Sequence, residues 1–255
     1  GIFTSGIVSE LPEGRRVALY FTGRRHAGEN LRRVLAEREA GLGPPLQMCD
    51  GLSHNAPEEF KTILSNCLVH ARRQFVDVAS AFPREVEHVI EEIALVYVHD
   101  REAKGLTSAE RLSLHQKKSA PVMDRLKTWM QAQIDEKTVE PNSGLGKAIQ
   151  YCLKRWEQLT VFLRMPGAPL DNSLTERILK RAIRHRRNSL FHKTQNGAVV
   201  GDLYMSLIAT AKLAGADPFD YLTELQRHAD ELADNPADWM PWNYRDTLQR
   251  ASPTG

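Results

Sequence analysis

The feature that most constrains this chain is a change of hydrophobic period along it. Near the start, Phe3, Ser5 and Ile7 alternate with Ile2, Thr4 and Gly6, and Val17, Leu19 and Phe21 continue in period two after the turn signal Leu11-Pro12-Glu13-Gly14. Adjacent strands joined by a hairpin are the simplest reading. Beyond Gly23 the spacing becomes helical at Leu31, Val34 and Leu35 and stops near Gly41-Leu42-Gly43-Pro44-Pro45. A short strand at Leu46 to Cys49, a second at Thr62 to Val69 and a helix marked by Ala71, Phe75, Val78 and Ala79 follow. From Glu85 to about Gln133 the period is wholly helical, with Val86, Ile90, Ile93 and Tyr97 on one stripe and Leu126, Met130 and Ile134 on another. Thr107 and Glu110 have capping-box spacing between them. Strands with interleaved helices and then helices alone predict an α/β fold.

The remaining helices are read from their caps and stripes. Leu145, Ile149, Cys152, Trp156 and Leu159 describe one buried face. A helix starts near Asp171 or Asn172, another spans Leu203 to Leu213, and a last one opens at Asp217-Pro218 with Leu222, Leu225, Ala229 and Leu232 inward. The tail from Trp239 reads as irregular.

Composition excludes several classes. The 255 residues, 42% hydrophobic and 26% charged, are enough for a sizeable core. No run approaches the roughly 18 apolar residues of a membrane span, and no leader pattern opens the chain, so a cytoplasmic protein without a membrane partner is expected. Cys49, Cys67 and Cys152 are odd in number and irregularly spaced, which argues against a disulfide framework. The net charge of +2 is too small to imply nucleic acid, so a basic surface must show as local clustering. The sequence opens at Gly1 without an initiator methionine, as a fragment or a processed chain would.

Such a cluster follows Glu176. Arg177, Lys180, Arg181, Arg184, Arg186, Arg187 and Lys193, with His185 and His192, come before the next acid at Asp202. A solvated helix face normally interleaves acids with bases. Helical spacing puts Lys180, Arg184 and Arg187 on the side of Glu176 and turns Leu174, Ile178 and Ala182 away. A carboxylate ringed by cations suits a polyanion, and phosphate backbones are the commonest one. Glu176 alone would only complement a helix dipole. Asp50 follows a strand, where sites in α/β sheets gather, although Asp-Gly is also an ordinary turn pair. Cys67 to His70 has half the spacing of a zinc site but no second half. His70, Arg72 and Arg73 are better placed to touch nucleic acid, with Cys67 as packing the equal alternative.

Taken in order, these residues resemble the transposases of the insertion sequence 66 family, whose catalytic domain is ribonuclease H-like with a site of two aspartates and a glutamate. The resemblance runs through Gln47-Met48-Cys49-Asp50, Cys67-Leu68-Val69-His70-Ala71-Arg72-Arg73, Gly146-Lys147-Ala148 and Trp156-Glu157. It continues through Leu170-Asp171-Asn172-Ser173-Leu174-Thr175-Glu176-Arg177, Arg187-Asn188-Ser189-Leu190-Phe191, Tyr204-Met205-Ser206-Leu207-Ile208, Thr210-Ala211-Lys212 and Pro241-Trp242-Asn243. Ser173 and Thr175 stand where the family more often has asparagine and alanine.

The resemblance implies a ribonuclease H-like mixed sheet with a helical insertion and a helical C-terminal region. Residues 1–80 and 141–215 would be the two parts of the core, 81–140 the insertion, and 216–255 the C-terminal helix and tail. It implies Asp50 and Glu176 as catalytic ligands of Mg²⁺ or Mn²⁺, the cations after Glu176 as DNA contacts, and a homo-oligomer working on transposon ends and target DNA. In the family the first catalytic aspartate lies on a central strand upstream of a stretch like Phe3 to Val8. No aspartate precedes Asp50 here. The expectation is therefore the larger part of a transposase catalytic domain without its first aspartate and N-terminal DNA-binding region, with a catalytically inactive DNA-binding relic as the alternative.

Overall fold

The computed structural model describes residues 2–11, 14–52, 55, 59–188 and 192–251, with the side chains of Arg186 and Ala251 outside the description. In chain order the elements are β1 (Phe3–Glu10), β2 (Arg16–Gly23), α1 (Ala27–Ala36), β3 (Leu46–Cys49), β4 (Ile63–Asn66), α2 (Leu68–Val76), α3 (Pro83–Glu102) and α4 (Ser108–Leu114). A π-turn at His115–Ser119 leads into α5 (Ala120–Asp135), then α6 (Gly144–Lys154), α7 (Trp156–Leu159), α8 (Ser173–Asn188), α9 (Gln195–Leu213), α10 (Pro218–Arg227), α11 (Ala229–Asp234) and α12 (Tyr244–Ala251). The chain forms two compact units, one of residues 1–37 with 174–255 and one of residues 38–173.

In the first unit β1 and β2 pair antiparallel from Phe3↔Gly23 to Glu10↔Arg16, as the alternation predicts. The expected turn between them includes Pro12 and Glu13, which lie outside the described residues. The outer edge of β2 is closed by a helix. Asp202, Ser206 and Thr210 of α9, spaced by four and so on one face, accept the backbone N–H groups of Thr22, Tyr20 and Ala18 in turn. Those three residues therefore sit in the non-hydrogen-bonded pairs of the hairpin, and their partners Thr4, Gly6 and Val8 turn their main-chain groups away from β2. Ala18, Tyr20, Ile178, Ala182 and Ala209 form the core beneath. A second cluster of Ala211, Tyr221, Leu225, Trp239 and Tyr244 holds the C-terminal helices.

In the second unit β3 and β4 pair parallel from Leu46↔Ile63 to Cys49↔Asn66. Helices α2, α3, α5 and α6 carry its main core, including Leu68, Phe75, Val89, Val96, Leu126, Leu145 and Ile149. The chain is thus α/β, and among the described residues pairing is confined to these two two-stranded sheets. The Thr107 capping box is present, with Thr107 accepting from the Glu110 N–H and Glu110 accepting from the Thr107 N–H.

Several boundaries differ from the sequence reading. The second short strand ends at Asn66, because Leu68, Ala71 and Phe75 follow a helical stripe into the core and the Leu68 N–H goes to Leu170 O at 3.0 Å. The buried face from Leu145 to Leu159 is broken at Arg155. Thr194 caps α9 by accepting from the Gly197 N–H, so this helix starts at Gln195, well before Leu203. The last helix stops at Arg227, which leaves Ala229 exposed, and the tail is helical at α12 because Tyr244 is buried against Tyr221.

Candidate nucleic-acid and metal-binding residues

Asp50 directly follows β3, where the chain must leave the sheet. Gly51 makes the turn with φ 81°, a left-handed conformation that favours glycine. A Cβ there would also meet Asn66 Oδ1 and Arg155 Nε, each at 3.3 Å. Asp50 Oδ1 accepts from the Leu52 N–H at 3.2 Å and from Asn55 Nδ2 at 2.5 Å. Gln47 ties the same loop back by donating to Asn55 O at 2.7 Å and accepting from Thr62 Oγ1 at 2.9 Å. Tyr151 Oη donates to Asp50 O at 3.2 Å, and the Arg155 guanidinium lies 4.2 Å from the Tyr151 ring centre. Sequence reasoning passed over Tyr151 and Arg155, whose only signal is their place beside the buried stripe at Cys152 and Trp156.

The thiols nearby are packing groups. Burial pushes Cys49 and Cys67 up from the ordinary thiol range and Cys152 to about 12, so all three stay protonated at neutral pH. His70 is partly buried on α2, while Arg72 and Arg73 are exposed.

Helix α8 is amphipathic in the way the spacing predicts. Ile178 and Ala182 are buried, Leu174 packs against the same cluster, and Tyr20 Oη donates to Ile178 O at 2.8 Å. Burial pushes the Tyr20 phenol up to about 12, against the pull of the Arg181 charge. Glu176 is in the first turn and partly buried. Arg177, Lys180, Arg181, Arg184, His185 and Arg187 are exposed, and the Arg186 side chain lies outside the described residues, as do Ser189, Leu190 and Phe191 of the motif that follows.

Asp50 belongs to the 38–173 unit and Glu176 to the other. Among the described residues no three His, Cys, Asp or Glu side chains are grouped so as to hold a metal ion, and no helix is long and apolar enough to cross a membrane.

Fold and site together describe a helix-rich α/β chain with a carboxylate at a strand end and a helix, α8, that is basic after Glu176. The model of the family "Transposase IS66 family" matches residues 8–200, and the chain belongs to that family. It is 34% identical over 188 residues to "Uncharacterized protein y4jD" of Sinorhizobium fredii (strain NBRC 101917 / NGR234), covering 71% of this chain and 36% of that protein. It is 29% identical over 247 residues to "Uncharacterized protein y4hP" of the same strain, covering 89% of this chain and 44% of that protein. The chain therefore spans less than half the length of these relatives. No solved structure matches it.

Proposed function

We propose that this chain is the larger part of the catalytic domain of a DNA transposase that uses two aspartates and a glutamate, with Asp50 and Glu176 as two of the three carboxylates. The observation that carries the reading is α8. It buries Ile178 and Ala182, places Glu176 in its first turn, and then exposes Lys180, Arg181, Arg184 and Arg187 with no acid until Asp202. A merely soluble helix has no need of such a one-signed face, whereas a phosphate backbone is held by it with release of counterions.

The finer fold we propose is ribonuclease H-like, with residues 81–140 inserted between core segments 1–80 and 141–215, and 216–255 as a C-terminal helix and tail. The antiparallel β1–β2 pair and the parallel β3–β4 pair are of the two senses that such a mixed sheet combines.

In the proposed reaction a water, and then a DNA 3′-hydroxyl, attacks a phosphodiester bond in line. Asp50 and Glu176 fit Mg²⁺ or Mn²⁺ by donor type, since hard cations take carboxylate oxygens, and both described hydrogen bonds to the Asp50 carboxylate fall on Oδ1. When bound, such ions activate the nucleophile and stabilise the leaving oxygen. The cations of α8 grip the DNA backbone, and the cations Arg72 and Arg73, with His70, offer a further set of phosphate contacts. These contacts position DNA and carry no sequence information directly.

The test has two arms. Arg184→Ala and Arg187→Ala should each lower the salt slope of DNA binding by roughly one, about equally on all sequences. Unchanged affinity and slope in both would return α8 to a solvated surface. Residues 1–49 hold no aspartate, so the 255 residues alone should not cleave a labelled transposon-end duplex with Mg²⁺ above background. Adding a family-type aspartate-bearing strand upstream should give cleavage, and Glu176→Gln should then abolish it with little loss of binding. Cleavage by the unextended chain that is lost in Asp50→Asn would show another acid completing the site.

A further inference from the structure

Three side chains between α3 and the π-turn reach the segment that leads into α8. Gln116 Nε2 donates to Leu163 O at 3.1 Å, Arg111 Nη1 to Ala168 O at 2.7 Å, and Tyr97 Oη to Asp171 Oδ2 at 2.8 Å. The acceptors advance along the chain toward Ser173, where α8 begins. Asp171 then closes the sequence, because its other oxygen Oδ1 accepts from the Ser173 N–H at 2.9 Å. One carboxylate thus joins α3 to the first residue of α8.

The donors are held where they are. Arg111 Nε and Nη2 both donate to Asp100 Oδ1, at 3.0 and 2.6 Å, which fixes the plane of the guanidinium and aims Nη1 at Ala168. The same Asp100 oxygen meets His115 Nε2 at 3.1 Å, and His115 Nδ1 meets Ser119 Oγ at 3.0 Å. His115 and Ser119 are fully buried in the π-turn, so Asp100 is anchored from inside the unit. π-Turns of this kind recur at functional sites. Tyr97 stays a donor over the working pH range, since burial and the neighbouring Asp171 charge both push its phenol up. Ala168 and Leu170 are buried in the apolar core, whose attraction is non-directional, whereas the hydrogen bonds to Leu163 O, Ala168 O and Asp171 Oδ2 are directional.

We infer that Tyr97 is a positioning residue for Glu176: through Asp171 it fixes the first turn of α8, while Arg111 and Gln116 hold the approach to it. The inference rests on the reading of Glu176 given above. It assigns the helices after Pro83 a task in the reaction, namely holding the start of the glutamate helix, three residues before the carboxylate.

Tyr97→Phe tests it, because the ring stays and only the hydroxyl is lost. In the 255-residue chain, amide exchange at Ser173 and the first turn of α8 should quicken roughly tenfold, the size expected for one lost charge-assisted hydrogen bond, with α3 and α5 unchanged. Val96→Ala, at a buried neighbour of Tyr97 whose side chain has no hydrogen-bonding group, serves as the stability control. In the chain extended by the aspartate strand, Tyr97→Phe should lower kcat for end cleavage roughly tenfold and leave KM for DNA unchanged. Unchanged exchange at Ser173, an equal change in Val96→Ala, or an effect on KM alone would each overturn the inference. If Glu176→Gln still cleaves, the reading of Glu176 falls and takes this inference with it. If Glu176→Gln is dead and Tyr97→Phe cleaves normally, this inference alone falls.

Discussion

Asp202 of α9 accepts two hydrogen bonds from Thr22 of β2, one from the backbone N–H and one from Oγ1 at 2.8 Å. The contact spans 180 residues of sequence and is the first rung of the α9 ladder that closes the β2 edge. Asp202→Ala leaves a strand N–H and a hydroxyl without this acceptor. It should cost about 1–3 kcal/mol, read as a lower urea midpoint with unchanged m value. Asp202→Asn keeps an acceptor and should lose less; equal losses in both variants would show that the charge, not the ladder, matters.

Gly146 sits inside α6, where alanine would ordinarily help by about 1 kcal/mol. A Cβ at this position would run into the main chain of Glu140 and Pro141, including Pro141 O at 2.7 Å and Pro141 C at 2.8 Å. Backbone cannot swing aside as a side chain can. Gly146→Ala should therefore destabilise by roughly 1–3 kcal/mol despite its better helix propensity, measured by thermal or urea unfolding. A neutral or stabilised variant would mean that the 140–141 turn gives way freely.

Asp100 supplies a pH dependence. Burial alone would raise its carboxyl, but hydrogen bonds from His115 and Arg111 outweigh burial and hold it below the ordinary value. A folded value below the unfolded one of about 3.9 stabilises above that pH, and the contribution is lost as pH falls through the folded value. Asp100→Asn should unfold more easily at pH 7, and its deficit against the unaltered chain should shrink below about pH 4. A deficit constant down to pH 2.5 in urea titrations would assign the loss to geometry rather than charge.

What the sequence determined by itself was local. The Thr107 box is written in two residues three apart, the β1–β2 hairpin in period-two alternation on either side of one turn, and the α8 faces in the spacing of Ile178 and Ala182 against Lys180, Arg184 and Arg187. Each of these depends on backbone geometry within a few residues, which a periodicity records directly. The family was legible because motifs keep their order whatever the packing does, and the proposal of Asp50 and Glu176 as site carboxylates rests on that resemblance. Tertiary structure decided the rest. Cys67 and Leu68 continue an apolar run that could extend a strand, but the burial of Ala71 and Phe75 turns it into a helix. Tyr244 makes a helix of an apparently irregular tail by packing edge-on against Tyr221. The Tyr97–Asp171 bond crosses 74 residues and the α9 ladder up to 192. No local pattern encodes such pairs, because their partners are chosen by which surfaces the core brings together and by the need of buried polar groups to find a hydrogen bond there.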